Sequence, residues 1–198
     1  IGAYSVRELP ADVLVFPKET SHWNPALPVG CASARRKMQF QQLYPEAVIQ
    51  PVRGNVLTRL EKLDSGEYGA LILAEAGLKR LGLSDRIAYR FSPEELVPAA
   101  GQGILAIQTR AGEYADLLAR LNSPDGALCA KTERQLASLL GGDCSAPVGC
   151  HAQLHGTDMT LYGFSGIGGV PRYGSVQGNR NDADLLVQQL ASKLTITE

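Results

Sequence analysis

With 198 residues, of which 44% are hydrophobic, the chain can build one large core or two small ones. Its 19 basic and 20 acidic residues leave a net charge of -1, so nothing global draws it to nucleic acid or a membrane surface. No apolar run approaches the roughly 20 residues of a spanning helix, and no membrane partner is expected.

The opening IGAYSVREL lacks Met and reads as the inside of a strand, which places the expected N-terminus upstream. From about residue 11 to 100, short apolar runs alternate with helical stretches. Residues 12–16 (DVLVF), 27–31 (LPVGC), 47–52 (AVIQPV) and 70–74 (ALILA) read as buried strands. Residues 33–44, 56–66 and 74–82 have helical spacing, with Gly66 and Gly82 at C-cap positions. The alternation predicts an α/β fold with a parallel sheet. Residues 103–110 (GILAIQTR) read as a further strand, followed by a helix in EYADLLARLN. Residues 126–140 form a long predicted helix, with Leu128, Leu136, Leu139 and Leu140 available for one apolar face. The runs CHAQLHG, DMTLYGFSG and RYGSVQG read as an antiparallel meander. Residues 182–194 read as an amphipathic helix N-capped by Asn181, closing a small α+β module.

Charge is uneven along this order. Residues 30–90 hold ten Lys and Arg against six Asp and Glu, a local excess that points to a small anionic ligand. In PVGCASARR (28–36) a strand turns into a helix at Gly30, with Ser33 near the first turn and Arg35 and Arg36 directly after it. Such a terminus favours an anion; a capped helix with solvent-facing arginines is the alternative. PVRGNVLTRL (51–60) repeats the device with Arg53, Thr58 and Arg59, and GLKRLG ends in Arg80. In a parallel α/β sheet the ligand crevice lies at the carboxyl ends of the strands. Arg35, Arg36, Arg53 and Arg59 follow such ends; Arg80 sits farther along its helix. Guanidinium forks suit carboxylates, and several together suit a polycarboxylate.

The four cysteines are Cys31, Cys129, Cys144 and Cys150. None has metal-ligand spacing, and His22, His151 and His155 do not complete one. No metal is expected, and a thiol-reduced, cytoplasmic protein is the default. Cys144 stands in LGGDCSAPVGC (140–150), a glycine-bearing turn that would hold a nucleophile or an attachment point outward. Asp143 beside it opposes thiolate formation. Cys129 and Cys150 read as packing residues, and Cys31 at the crevice mouth can face either way. The histidines read as surface or satisfied residues.

These segments resemble the hydroxymethylbilane synthase (porphobilinogen deaminase) family. The likeness is carried by VRGNVLTRLEKLDSGEYGALILAEAGLKRLGL (52–83), PAAGQGILAI (98–107), GCASARR (30–36), TERQLASLLGGDCSAPVG (132–149) and RELPADVLV (7–15). The resemblance implies a transferase of tetrapyrrole (heme and corrin) biosynthesis that joins four porphobilinogens, with loss of ammonia, onto a dipyrromethane cofactor. Cys144 would hold that cofactor through a thioether. Ser33, Arg35, Arg36, Arg53, Thr58 and Arg59 would bind its carboxylates, and Arg80 those of the substrate. The family's catalytic Asp lies in an HS-x-K-D stretch that does not occur in residues 1–198. It is expected upstream, so no catalytic residue is assigned here, and the chain by itself is expected to be inactive without that segment. Asp143 replaces a usual Gly, Cys31 and Ala32 replace hydroxyl residues, and Gln108 stands where an acid is frequent.

The architecture implied is α/β. Residues 1–9 would be a strand and hinge from a first domain, and 10–99 a second, periplasmic-binding-protein-like domain with a parallel or mixed sheet and the anion crevice. Residues 100–122 would be a strand and helix returning to the first domain, and 123–198 a third, α+β domain with an antiparallel sheet and the attachment loop. A non-catalytic anion-binding or sensor module of the same shape is the competing reading.

Overall fold

The computed structural model describes residues 1–142 and 145–195. They fall into two compact units, one of Pro10–Leu96 and one of Ile1–Leu9 with the chain from Val97 onward. Strand β1 (Ala3–Tyr4) belongs to the latter; the chain then enters the former with β2 (Asp12–Val15).

The Pro10–Leu96 unit continues with β3 (Val29–Gly30), α1 (Ala34–Leu43), β4 (Ile49–Gln50), α2 (Val56–Asp64), β5 (Ala70–Ala74), α3 (Glu75–Arg80) and β6 (Ile87–Arg90). Its sheet has the order β4-β3-β5-β2-β6. Side chains alternate between the two faces, as period-2 geometry requires. Val13, Val15, Leu71 and Leu73 pack with Leu60, Leu63 and Leu78 from α2 and α3, while Leu14, Ala70 and Ile72 pack with Phe40 from α1. Both faces are therefore covered, which is why β2 and β5 read as unbroken apolar runs.

Of the parallel and mixed sheets that the sequence reading allows, this one is mixed. β3 runs parallel to β4 and β5, but β2 is antiparallel to both β5 and β6. The reason lies between β2 and β3. A parallel arrangement needs a crossover that carries the chain back along the sheet. Residues 16–28 contain Pro17, Pro25 and Pro28 and no helix, so the chain turns and enters β3 from the edge where β2 ended. β6 has no counterpart in the sequence reading. It is an outer strand with Ala88, Tyr89 and Arg90 exposed, which removes the apolar signal a buried strand gives.

In the other unit β1 pairs with β7 (Ala106–Ile107), and α4 (Ala115–Leu121) and α5 (Pro124–Leu139) follow. The GILAIQTR run thus contributes only two residues to a ladder, because β1 offers only two as partners. β8 (Val148–His155), β9 (Asp158–Ser165) and β10 (Arg172–Asn179) form an antiparallel meander, and α6 (Ala183–Leu194) packs across it. Leu186, Leu190 and Leu194, spaced one turn apart, make the contact. They pass over glycines in the strands. A Cβ on Gly163 would lie 2.5 Å from Leu194 Cδ1, and one on Gly174 3.0 Å from Leu190 Cδ1.

Two local expectations change. Asn181 does not cap α6: the Asn179 side chain accepts from its N–H, closing a 3-10 turn, and Asp182 precedes the helix. Leu139 is exposed, while Leu136 and Leu140 are buried, because Leu139 falls outside the i, i+4 stripe that meets the sheet. Among the described residues no helix is long and apolar enough to cross a membrane.

Two outcomes follow from this packing. Gly163→Ala drives a methyl into Leu194 and is expected to cost about 1–3 kcal/mol in urea unfolding. Burial pushes the Cys129 thiol from 9.0 up to about 11, with Arg7 opposing and Glu133 adding to the shift. The folded state therefore keeps a proton that the unfolded chain loses first. The stability this contributes is intact below pH 9 and declines as pH rises toward 11. Cys129→Ala should show a shallower loss over that window in denaturation series.

Candidate functional site

The carboxyl ends of β4, β3 and β5 lie side by side at one edge of the sheet, and α1, α2 and α3 all start there. Local sequence builds each start. Ser33 caps α1, its Oγ accepting from the Arg36 N–H at 3.4 Å, and Asn55 caps α2, its Oδ1 accepting from the Thr58 N–H at 3.0 Å. Gly54 has a φ of +118°, and a Cβ there would meet the Thr58 side chain at 2.8 Å, so the turn into α2 admits only glycine. Neither α1 nor α2 has an acidic residue in its first turn. Helix starts normally attract Asp and Glu. Here both carry arginine.

The six residues assigned to anion binding in this region gather at that edge by topology. Arg53 is exposed, with no ion pair among the described residues. Arg59 is half-buried, and its Nε donates to the Gly54 carbonyl at 2.8 Å, which holds its stem along the turn. Thr58 donates its hydroxyl to Asn55 Oδ1 at 3.2 Å, and Ser33 uses one lone pair in its cap. Both hydroxyls therefore have structural work as well.

Arg35 and Arg36 are not simply solvent-facing. Arg35 Nη1 lies 2.6 Å from Asp12 Oδ2, and Arg36 Nε and Nη2 each lie 2.8 Å from Asp12 Oδ1. Asp12 is wholly buried, Arg35 is 5% exposed at its side chain and Arg36 14%. Arg80 is not brought to this edge. It is exposed in the last turn of α3, about 7.5 Å along the helix from its first residue at 1.5 Å per residue.

The cysteine assignments resolve unevenly. Cys31 faces inward, packed in the α1 side of the core, and burial pushes its thiol up although Arg36 and Arg35 pull the other way. Cys129 and Cys150 are buried in the core of the other unit. Cys144 and Asp143 lie outside the described residues.

Sequence reasoning missed three buried acids. Asp12 had a readable signal, a charged residue opening an apolar run. Glu75 opens α3 at the same sheet edge; its Oε1 accepts from Arg90 Nε at 2.7 Å, and its buried Oε2 finds no donor among the described residues. Glu133, on α5, accepts from Arg7 Nη2 at 2.6 Å and from the backbone N–H groups of Gly101 and Ala152 at 2.6 and 2.7 Å. Arg7 Nη1 also donates to His151 Nδ1 at 2.8 Å, and that ring stacks on Tyr162. His151 is thus a satisfied core residue, whereas His22 and His155 are exposed. Nothing short-range in sequence marks a cluster assembled from residues 7, 101, 133 and 151.

The family described as "Porphobilinogen deaminase, dipyromethane cofactor binding domain" matches residues 1–116, and the one described as "Porphobilinogen deaminase, C-terminal domain" matches residues 127–195. A porphobilinogen deaminase of Acetivibrio thermocellus is 44% identical over 98% of this chain and 67% of its own length. Those of Alkaliphilus oremlandii and Ruminiclostridium josui are 45% and 40% identical, over 83% and 98% of this chain and 55% and 66% of their own lengths. The chain therefore spans about two thirds or less of these relatives. They support the enzyme reading of the sequence and not the sensor alternative. An arginine-lined sheet edge inside a segment matched to a cofactor-binding domain, together with identity of this degree along nearly the whole chain, makes it a member of the porphobilinogen deaminase family.

Proposed function

We propose that the chain is the larger part of a hydroxymethylbilane synthase, a cytoplasmic transferase that condenses four porphobilinogens with loss of ammonia. Its own contribution is the anion-binding half of the chemistry. The observation that carries this reading is the pair of helix starts, α1 and α2, that present arginine and no acid at one sheet edge. Such an edge suits a guest with several carboxylates, and it fits a dipyrromethane, whose pyrroles each bear an acetate and a propionate.

When bound, the dipyrromethane supplies a free pyrrole carbon as the nucleophile to which each unit is joined. In this reading Cys144 tethers it through a thioether. Arg36, Arg53 and Arg59 hold carboxylates as charge-assisted forks, Arg35 supports them, and Ser33 and Thr58 add hydroxyls at the helix starts. Arg80 is kept as a residue for substrate carboxylates outside this edge. Guanidinium groups stay charged at all relevant pH, so the grip follows the ionisation of the guest alone. The carboxylate that would steady positive charge as ammonia leaves is assigned to the segment that the relatives carry and residues 1–198 do not. Residues 10–99 are read as a periplasmic-binding-protein-like second domain, 1–9 with 100–122 as part of a first, and 123–198 as a third.

Intact mass of the full-length protein tests the tether. An adduct of two porphobilinogen units less two ammonia is expected on the wild type and absent from Cys144→Ala, which should also lose turnover. An unmodified wild type that still turns over porphobilinogen overturns the reading. Arg53→Gln in the full-length protein removes an exposed guanidinium, so its melting temperature should not move. Losing a charge-assisted hydrogen bond of about 1.5–3 kcal/mol should lower kcat/KM about ten-fold or more.

A further inference from the structure

We propose that Asp12 is a positioning residue: its buried carboxylate holds the Arg36 guanidinium in the orientation that takes a ligand carboxylate, with Arg35 neutralising it from below. This rests on the reading that arginines of this sheet edge bind carboxylates.

Asp12 opens β2, opposite Ala74 at the end of β5, so it stands at the same edge as the starts of α1 and α3. Strand β5 lies between β2 and β3, and the cluster therefore joins α1 to a strand two places away from the one that leads into it. One carboxylate here faces two guanidinium groups at the start of α1, where the helix dipole is positive. A single arginine would be enough to neutralise Asp12. Replacing buried ion clusters by apolar groups is commonly neutral or stabilising, so stability alone is a weak account of two buried charges with a third half-buried beside them.

The two arginines are not equivalent. Arg35 reaches Asp12 Oδ2 through Nη1 and is almost wholly buried; Arg36 reaches Oδ1 through both Nε and Nη2 and retains solvent access. Two contacts from one side of the planar group fix its plane as well as its position. The Ser33 cap fixes the backbone at the same residue, since the N–H it accepts from belongs to Arg36. Asp12 is screened on both oxygens by guanidinium groups, so it does not repel an incoming anion as an exposed carboxylate would.

The test uses the full-length protein carrying its cofactor. Asp12→Asn alone strands the buried Arg35 cation and can fail to fold. The informative comparison is Asp12→Asn/Arg35→Met against Arg35→Met, in which the buried charge is removed together with its partner. The double variant is expected to melt within about 3 °C of Arg35→Met. Its kcat should fall about ten-fold below that of Arg35→Met, with the KM for porphobilinogen changed less than about three-fold, because the carboxylates that lose their oriented partner belong to the tethered cofactor and not to the incoming substrate. Equal kcat values in the two variants overturn the positioning role. Arg36→Gln separates this from the parent reading. If it lowers kcat while the two Arg35→Met proteins agree, only the role of Asp12 falls. If Arg36→Gln and Arg53→Gln both leave kcat unchanged, carboxylate binding at this edge falls with it.

Discussion

Arginine in the first turn of a helix sets a cation against the positive end of that helix's dipole, a repulsion of about 0.3–1 kcal/mol per charge. α1 accepts this twice within its first three residues, and the adjacent α2 carries Arg59 with no acid near its start. The fold tolerates the arrangement because a buried carboxylate from β2 reaches α1 across the sheet. Antiparallel β2 is what makes that reach possible: reversing its direction would put Asp12 at the opposite edge. The mixed topology, a departure from the simple alternating pattern, is thus tied directly to the chemistry of the edge.

The buried acid of the other unit shows what a purely structural cluster looks like. Glu133 meets one guanidinium and two backbone N–H groups, and the same Arg7 satisfies His151. Carboxylate and cation balance one to one, and the two main-chain donors come from a turn at Gly101 and from Ala152 within β8, a strand paired on one side only. Such closure rigidifies without leaving a field outside. The Asp12 cluster is built differently: one carboxylate meets two guanidinium groups at a helix start, and one of them, Arg36, keeps solvent access.

Much of this was legible in sequence, for physical reasons that can be named. Ser33, Gly54 and the arginines around them are local signals: cap, turn and charge fall within ten residues, so spacing alone places them past strand ends. The meander and α6 were likewise local, with Gly and alternating apolar residues marking each hairpin. Strand direction was not legible, because it depends on where residues 16–28 send the chain. Asp12 and Glu133 became meaningful only when partners 23 and 126 positions away were brought to them. Short strands failed for another reason: β6 is exposed along most of its length, and β7 is limited by the two residues of β1.

The edge is also narrower than three parallel strands would suggest. α3 starts there too, but its first residue is Glu75, buried and bonded to Arg90 from β6. That acid satisfies the dipole at its own helix and cancels the cation that β6 brings to the edge. Its second oxygen is buried without a donor among the described residues. Of the three helix starts at this edge, α1 and α2 carry arginine and α3 carries an acid, so the anion site proposed above rests on the turns after β3 and β4, where Arg36, Arg53 and Arg59 stand. Arg80, at the far end of α3, lies outside those turns.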